Sequence, residues 1–270
     1  MTKVGFIGTG NMGGALAKAV AGAGKDYKIL LANRTREKAE ELATELGKDA
    51  AVTDNAEIAA SADFIFLGVK PQMMADMLDG IAPILKERKN KGESFTLITM
   101  AAGLSIERIG ELAKGDYSII RIMPNTPAAI GEGMILYAEN GVDTAVLEAF
   151  TELMKGAGRL AKLPEKLIDA GSAVSGCGPA FVYMFIEALA DGGVQAGLPR
   201  AQAYELAEQT LIGSAKLAMQ SGKHPGELKD AVCSPSGTTI EGVRTLEEGG
   251  LRGIVMDAVI AAVEKNQAFK

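Results

Sequence analysis

Three glycines close to the amino terminus have the spacing of a dinucleotide-binding loop. An apolar segment, residues 4–7, runs into Gly8, Gly10 and Gly13 of a Gly-x-Gly-x-x-Gly sequence, and a helix-like apolar segment follows. Such glycines allow a tight turn, close approach of the backbone to a pyrophosphate, and packing of the helix on the sheet. The N–H groups at the start of that helix would attract phosphate. Because the chain has 33 glycines, an ordinary strand–turn–helix junction is the alternative.

The end of the next predicted strand bears on the choice of cofactor. That strand, residues 28–32, ends at Asn33, about 20 residues after the last glycine, where an NAD site usually carries an acidic residue. Here the sequence continues with Arg34, Thr35 and Arg36. An amide, a hydroxyl and a guanidinium can hydrogen-bond a 2′-phosphate that a carboxylate would repel, so the sequence favours NADPH over NADH. The alternative is that Arg34 and Arg36 are solvated charges at the start of the next helix.

A cluster of small polar residues lies directly before a predicted helix in the last part of the chain. Its members are Ser234, Pro235, Ser236, Gly237, Thr238 and Thr239. Serine and threonine in that position are commonly helix caps, which is one explanation. A run of this length exceeds the needs of capping, and its N–H and hydroxyl groups can hold the carboxylate of a small substrate.

Alternating strands and helices in the first half of the chain would position the glycine loop. Further strands are predicted at residues 64–69, 95–100 and 119–123, with a helix around residues 73–77. This alternation predicts an α/β fold with a parallel, doubly wound sheet, whose ligand crevice lies beyond the carboxyl ends of the strands. The segments expected there are Val69, Lys70, Pro71 and Met100, Ala101, Ala102. Lys70 would pair with a cofactor phosphate or ribose, or merely cap a helix.

The character of the sequence changes after Leu163 and Pro164, where alanine-rich segments with helical spacing replace the β-branched runs. We therefore predict a dinucleotide-binding domain over residues 1–163 and an all-helical domain over residues 164–270. Two of its helices carry apolar faces, one with Tyr204, Ala207, Leu211, Ala215 and Ala218, the other with Leu251, Ile254, Val255, Ala258, Val259 and Ala262. Such faces favour packing between subunits, and packing within one subunit is the alternative.

Composition argues against several classes of protein. The chain has 270 residues and a net charge of −6, which leaves no general basic surface for nucleic acid. Its densest basic run, residues 86–91, is mixed in sign and is predicted to be a solvated helix end. No apolar run approaches the roughly 20 residues of a membrane span, and no signal-peptide pattern is found, so a cytoplasmic protein is predicted. Cys177 and Cys233 lack metal-type spacing, and no metal site is predicted.

Five motifs together resemble those of the pyrroline-5-carboxylate reductase family. They are the glycine loop, Val69-Lys70-Pro71, Met123-Pro124-Asn125-Thr126-Pro127, the sequence SGCGPAFV at residues 175–182, and His224-Pro225 followed by the hydroxyl cluster. They occur in order from near residue 3 to about residue 265, and the last three are much more specific than the glycine spacing. The resemblance implies reduction of the cyclic imine 1-pyrroline-5-carboxylate to L-proline by NAD(P)H, the last step of proline biosynthesis.

The resemblance also implies site residues by motif position. The implied cofactor contacts are Gly8, Thr9, Gly10, Asn11, Met12, Gly13, Asn33, Arg34, Thr35, Asn55, Val69, Lys70, Pro71, Met100, Ala101 and Ala102. The implied substrate contacts are Ser234, Gly237, Thr238 and Thr239. A homodimer with interlocked helical domains is implied as well, and a homodecamer as a further level of assembly. One departure is Ser236, where the family usually has glycine, and its side chain would narrow the loop.

The implied reaction asks mainly for positioning, because a protonated imine carbon is already electrophilic and the cofactor supplies the hydride. Thr239 is predicted to hydrogen-bond the ring nitrogen, and is the candidate catalytic residue. The only histidine, His224, is predicted to be a loop or helix-start residue.

Two other functions stay open at this point. A β-hydroxyacid dehydrogenase also has a Rossmann domain followed by helices, but alcohol oxidation needs a base. Enzymes of that type have a lysine four residues after the second glycine of a Gly-x-Gly helix start, where this chain has Val182. A non-catalytic NADPH-binding sensor would keep the glycine loop while losing the hydroxyl cluster, which this chain retains.

Overall fold

The computed structural model describes residues 1–23 and 27–268. Residue packing divides the chain into a sheet unit, Met1–Cys177 with the residues from Val263 onward, and a helical unit, Gly178–Ala262. The predicted domain boundary after residue 163 marks the point where strands give way to helices, and it stays a prediction.

Eight strands form one sheet in the order β3-β2-β1-β4-β5-β6-β7-β8. The strands are β1 (Thr2–Ile7), β2 (Tyr27–Ala32), β3 (Ala50–Val52), β4 (Phe64–Leu67), β5 (Thr96–Thr99), β6 (Ser118–Met123), β7 (Gly133–Asn140) and β8 (Gly158–Lys162). All neighbouring strands are parallel except β6 and β7, which are antiparallel. The predicted doubly wound α/β fold is confirmed, although β3, β7 and β8 were not predicted.

Helices cover the sheet and build the rest of the chain. The sheet unit contains α1 (Asn11–Ala21), α2 (Arg36–Leu46), α3 (Asn55–Ser61), α4 (Met74–Asn90), α5 (Ile106–Leu112), α6 (Thr144–Leu153) and α7 (Ile168–Ser175). The later helices are α8 (Gly178–Gln195), α9 (Arg200–Ser221), α10 (Pro225–Ala231), α11 (Thr238–Glu248) and α12 (Leu251–Gln267). The helical character predicted for the second part of the chain is therefore confirmed.

The sheet unit has a core on each face of its sheet, because successive side chains of a strand point to opposite faces. On one face Phe6 of β1 stacks on Phe66 of β4, with ring centroids 4.5 Å apart, beneath α1 and α6. On the other face Ile7 and Ile65 pack with α3, α4 and α5. Both faces are thus covered, as is usual for a parallel sheet.

The basic run at residues 86–91 ends α4, as predicted, but one of its members is not solvated. Arg88 is 6% exposed, and its Nη1 donates hydrogen bonds to the carbonyl oxygens of Ala59 and Ala62 at 2.8 and 2.9 Å. This arginine therefore ties α4 to the end of α3, a role that the mixed charge pattern did not reveal.

The helical unit has a far smaller core. Its buried residues within the described part of the chain are Ala190 of α8 and Ala203 and Ala207 of α9. Of the face predicted on α9, Tyr204 and Ala207 pack against α8, whereas Ala215 is exposed. The face predicted on α12 has no buried member, so sequence periodicity located apolar faces that this unit does not itself cover.

One helical stretch, Glu165–Gln195, is long and apolar enough to cross a membrane by length and composition alone, with a mean hydropathy of 1.4. The expectation that no apolar run approaches that size is therefore wrong. A single such stretch is weak evidence for a membrane span, because helices of soluble proteins pass the same criterion.

Candidate functional site

A cleft of about 1260 Å³ opens at the carboxyl ends of β1, β2 and β4. This is the point of the sheet at which the strand order reverses, where open α/β folds bind their ligands. The predicted cofactor residues that line it are Gly8, Gly10, Asn33, Arg34, Thr35, Asn55, Val69 and Lys70. Those outside its lining are Thr9, Asn11, Met12, Gly13, Pro71, Met100, Ala101 and Ala102.

The three glycines of the first loop meet different surroundings. Gly8 has a φ of +100°, and a Cβ there would lie 2.6 Å from the backbone of Gly68. A Cβ on Gly13 would lie 2.2 Å from the carbonyl oxygen of Gly8, whereas a Cβ on Gly10 would meet no atom within 4 Å. Gly8 and Gly13 are thus required by packing, and Gly10 leaves open space before the first N–H groups of α1, where a phosphate fits.

A hydrogen-bonded link joins the glycine loop to the end of β2. The Thr9 N–H donates to Asn33 Oδ1 at 3.1 Å, and Asn33 Nδ2 donates to the Thr35 carbonyl oxygen at 2.9 Å. Much of the Asn33 amide is therefore used inside the protein to hold the two loops together. The Thr9 hydroxyl is buried without a hydrogen-bond partner among the described residues, so the loop contains one polar group that a bound ligand can satisfy.

Two cations beside the loop after β2 are not neutralised by carboxylates. Arg36 forms an ion pair with Glu40 at 2.9 Å, but within residues 1–23 and 27–268 neither Arg34 nor Lys38 forms one. Both line the cleft and are exposed. Arg36, the first residue of α2, lines the cleft as well. Lys38 was not predicted from sequence, although its position four residues after Arg34 was a usable signal.

The loop after β4 forms another wall of the cleft. Lys70 precedes a 3₁₀ turn over Pro71–Met73, and its carbonyl oxygen accepts the Met73 N–H at 2.9 Å. Its backbone therefore starts the turn while its side chain is available to the cleft. Cleft residues that sequence reasoning missed continue along this wall and α4, and they are Gln72, Met73, Asp76, Met77, Gly80 and Ile81.

The segment after β5 begins beside the cleft, because β5 pairs with β4. Its Ala101 N–H donates to the hydroxyl of the buried Thr99 at 3.3 Å, and Ala101 is buried while Ala102 is exposed. This segment therefore begins at the edge of the sheet where it was predicted to lie. None of its members, Met100, Ala101 and Ala102, lines the cleft.

The hydroxyl cluster lies in the helical unit, at the start of α11. Gly237 precedes the helix, and no side chain caps its first N–H groups. A Cβ on Gly237 would lie 2.3 Å from the Ser234 hydroxyl oxygen and 3.1 Å from the Ser234 carbonyl oxygen, so Gly237 packs closely against Ser234. Ser234, Thr238 and Thr239 are exposed, so their hydroxyls and the uncapped N–H groups of the helix are able to donate hydrogen bonds to an anion.

Other reactive side chains have structural roles or lie elsewhere. The Nδ1 of His224 accepts the Gly226 N–H at 3.0 Å and caps α10, which agrees with a helix-start residue. Over the described ranges no group of three metal-ligating side chains is found. A hydrogen bond from Lys162 lowers the pKa of the Glu139 carboxyl, and burial raises the pKa of Tyr117, but neither residue lines the cleft.

Two family descriptions match the chain. Residues 165–269 match a pyrroline-5-carboxylate reductase dimerisation domain, and residues 3–92 match an NADP oxidoreductase family described as coenzyme F420-dependent. The pyrroline-5-carboxylate reductase of Escherichia coli (strain K12) is 41% identical over 98% of this chain and 97% of its own length.

Solved structures are similar over the whole chain. The pyrroline carboxylate reductase of Plasmodium falciparum with NADP bound has a TM-score of 0.86 and 34% identity, covering 99% of this chain and 98% of that one. The pyrroline-5-carboxylate reductase of Coxiella burnetii has a TM-score of 0.90 and 29% identity, covering 100% and 98% of the two chains.

Proposed function

The chain belongs to the pyrroline-5-carboxylate reductase family, and on that basis we propose that it reduces 1-pyrroline-5-carboxylate to L-proline with NADPH as its preferred cofactor. It is an oxidoreductase, and the β-hydroxyacid dehydrogenase alternative is not favoured. The observation that carries the proposal is the cleft at the strand-order reversal, where Gly10 leaves room for a phosphate. A non-catalytic sensor would not need the hydroxyl cluster, which this chain retains.

The residues of the sheet unit fit a nicotinamide dinucleotide. The open space at Gly10 and the unpartnered Thr9 hydroxyl suit a pyrophosphate beside the N-terminus of α1. Arg34 and Lys38 would hold a 2′-phosphate, with the Thr35 hydroxyl between them in sequence, which supports a preference for NADPH over a weaker NADH. Bound there, the nicotinamide supplies the hydride.

The helical unit would hold the substrate. The first N–H groups of α11 and the hydroxyls of Ser234 and Thr238 would bind the carboxylate of the imine, next to Gly237. The Thr239 hydroxyl would hydrogen-bond the ring nitrogen and fix the orientation of the imine carbon. Because the imine carbon is already electrophilic, these residues need only bind and orient, and no side chain need act as a strong acid or base.

The match to a dimerisation domain supports an oligomer, and we propose that its smallest form is a homodimer made through the helical unit. The exposed apolar side chains of α8 and α12 support this assignment, since the helical unit does not cover them. A homodecamer is carried over from the family resemblance alone and a cytoplasmic location from the sequence pattern, and both remain parts of the proposal.

Turnover of the purified protein tests the proposal. We expect oxidation of NADPH that depends on 1-pyrroline-5-carboxylate, with L-proline formed in equal amount. Binding of NADPH without turnover would favour the sensor, and oxidation of a β-hydroxyacid without imine reduction would favour the dehydrogenase.

A further inference from the structure

Arg121 on β6 is a buried cation that the proposed reaction does not use. Its side chain is 3% exposed, and its Nη2 donates to Asp169 Oδ1 on α7 at 2.8 Å. Its Nη1 lies 3.4 Å from Glu165 Oε1, and its Nε has no hydrogen-bond partner among the described residues. A buried cation strongly orients carboxylates that reach it, so Glu165 and Asp169 are held toward β6.

Glu165 makes a second contact with the same oxygen. Its Oε1 accepts the Ile106 N–H at 2.7 Å, across 59 positions of sequence. Ile106 is the first residue of α5, and the side-chain hydroxyl of the cap, Ser105, accepts the Arg108 N–H at 3.1 Å. The Glu165 carboxylate therefore takes an N–H that the cap leaves free, and its charge interacts favourably with the helix N-terminus.

The segment from Met100 to Ser105 is thus fixed at both ends. At its start the buried Thr99 hydroxyl accepts the Ala101 N–H, and at its end Glu165 holds the first N–H of α5. Thr99 and Arg121 are directly opposite each other on β5 and β6, so both anchors depend on the same pair of strands. The segment between them follows β5 at the edge of the sheet where the cleft lies.

We propose that Glu165 is a positioning residue for hydride transfer. Its carboxylate, oriented by Arg121, holds the segment from Met100 to Ser105 in the conformation that receives the nicotinamide end of the cofactor. The inference rests on the proposed function and on the prediction, made from the end of β5 and from the family resemblance, that Met100, Ala101 and Ala102 contact the cofactor. Because this chemistry depends on orientation, a small displacement of that segment slows the reaction more than it weakens binding.

Three variants separate this role from a merely structural one. Glu165→Ala removes the acceptor of the Ile106 N–H, and Glu165→Gln keeps a carbonyl oxygen that can accept it. Glu107→Ala removes an exposed carboxylate on the same helix and is the control. Each variant is examined by amide hydrogen exchange of residues 100–106 without cofactor, by NADPH affinity, and by single-turnover hydride transfer with NADPH deuterated at C4.

Glu165→Ala should exchange the Ile106 amide faster and transfer hydride roughly 10- to 100-fold more slowly, with NADPH affinity within about threefold of the unchanged chain. Its deuterium isotope effect on kcat should equal or exceed that of the unchanged chain. Glu165→Gln should recover most of the rate, and Glu107→Ala should match the unchanged chain.

An unchanged hydride-transfer rate in Glu165→Ala would overturn the inference, whatever its thermal stability. Equal losses in Glu165→Gln and Glu165→Ala would also overturn it, because the acceptor would then not be what matters. Failure of the proposed function is distinguishable, since the unchanged chain would then not reduce the imine at all.

Discussion

The sheet unit and the helical unit bury their apolar side chains to very different degrees. The sheet unit encloses large side chains on both faces, such as the fully buried Phe6, Phe66 and Phe150. The helical unit buries three alanines, while Met184 and Ile254 are 68% and 63% exposed. Large apolar side chains left this exposed favour an interaction surface. The sheet unit therefore has a large core of its own, whereas the helical unit leaves many apolar side chains uncovered, as the proposed homodimer requires.

The largest expected effect is on the association of two copies through the exposed apolar side chains of the helical unit. Met184→Asp should weaken the dimer at least about 100-fold, because burying a methionine contributes about 1.5 to 3 kcal/mol and the dimer would contain two such sites. Met184→Leu is the matched control and should leave association nearly unchanged. Sedimentation over a range of concentrations measures the association of both variants. A Met184→Asp protein that associates as tightly as the unchanged chain would show that the exposed face of the helical unit is not the dimer interface.

The next effect tests the sheet unit alone. Arg34→Ala should weaken NADPH by about 1.5 to 3 kcal/mol, roughly 10- to 150-fold, and leave NADH almost unaffected, because only NADPH carries the 2′-phosphate. Lys38→Ala should act in the same direction, and Arg36→Ala should weaken NADPH less, because Arg36 also lines the cleft but is paired with Glu40. Titration of cofactor fluorescence measures the affinities. Equal losses for NADPH and NADH would show that Arg34 does not contact the 2′-phosphate.

The smallest effect concerns backbone strain in each unit. Ser236 and Lys114 have φ values of 56° and 58°, in the left-handed region that favours glycine. Ser236→Gly relieves strain of about 1 kcal/mol but loses about 0.5 to 1 kcal/mol through the entropy of the unfolded chain, so the free energy of unfolding should change by less than about 1 kcal/mol. Lys114→Gly in the sheet unit should change the free energy of unfolding by a similarly small amount. Denaturant unfolding measures both, and a loss above about 2 kcal/mol in Ser236→Gly alone would show that its side chain stabilises the loop.

The sequence predicted the parts of the molecule that local patterns determine. The strands that became β1, β2, β4, β5 and β6 have apolar runs bounded by turns. By contrast, β3 is only Ala50–Val52, too short and too small in its side chains to stand out. The antiparallel β7 pairs with β6 and β8, and Oδ1 of Asn125, which lies before it, accepts the Met134 N–H at 2.9 Å.

In the candidate site, too, only the features that depend on neighbouring residues could be predicted from the sequence. Glycine spacing and the chemistry of Arg34 could be recognised from neighbouring residues. The bond between Thr9 and Asn33 joins residues 24 positions apart, and that between Ile106 and Glu165 joins residues 59 apart. No local pattern specifies such pairs, because the fold alone brings them together.

The central claim is that the sheet unit holds the cofactor and the helical unit provides the substrate contacts, and Thr239→Val tests it most directly. This variant keeps the shape of the side chain and removes one hydrogen bond to an ionised substrate, worth about 1.5 to 3 kcal/mol. The value of kcat/KM for 1-pyrroline-5-carboxylate should therefore fall roughly 10- to 150-fold, with NADPH affinity nearly unchanged and activity largely restored in Thr239→Ser. If NADPH binding collapses while turnover at saturating cofactor stays normal, the hydroxyl cluster belongs to the cofactor site and the claim is contradicted.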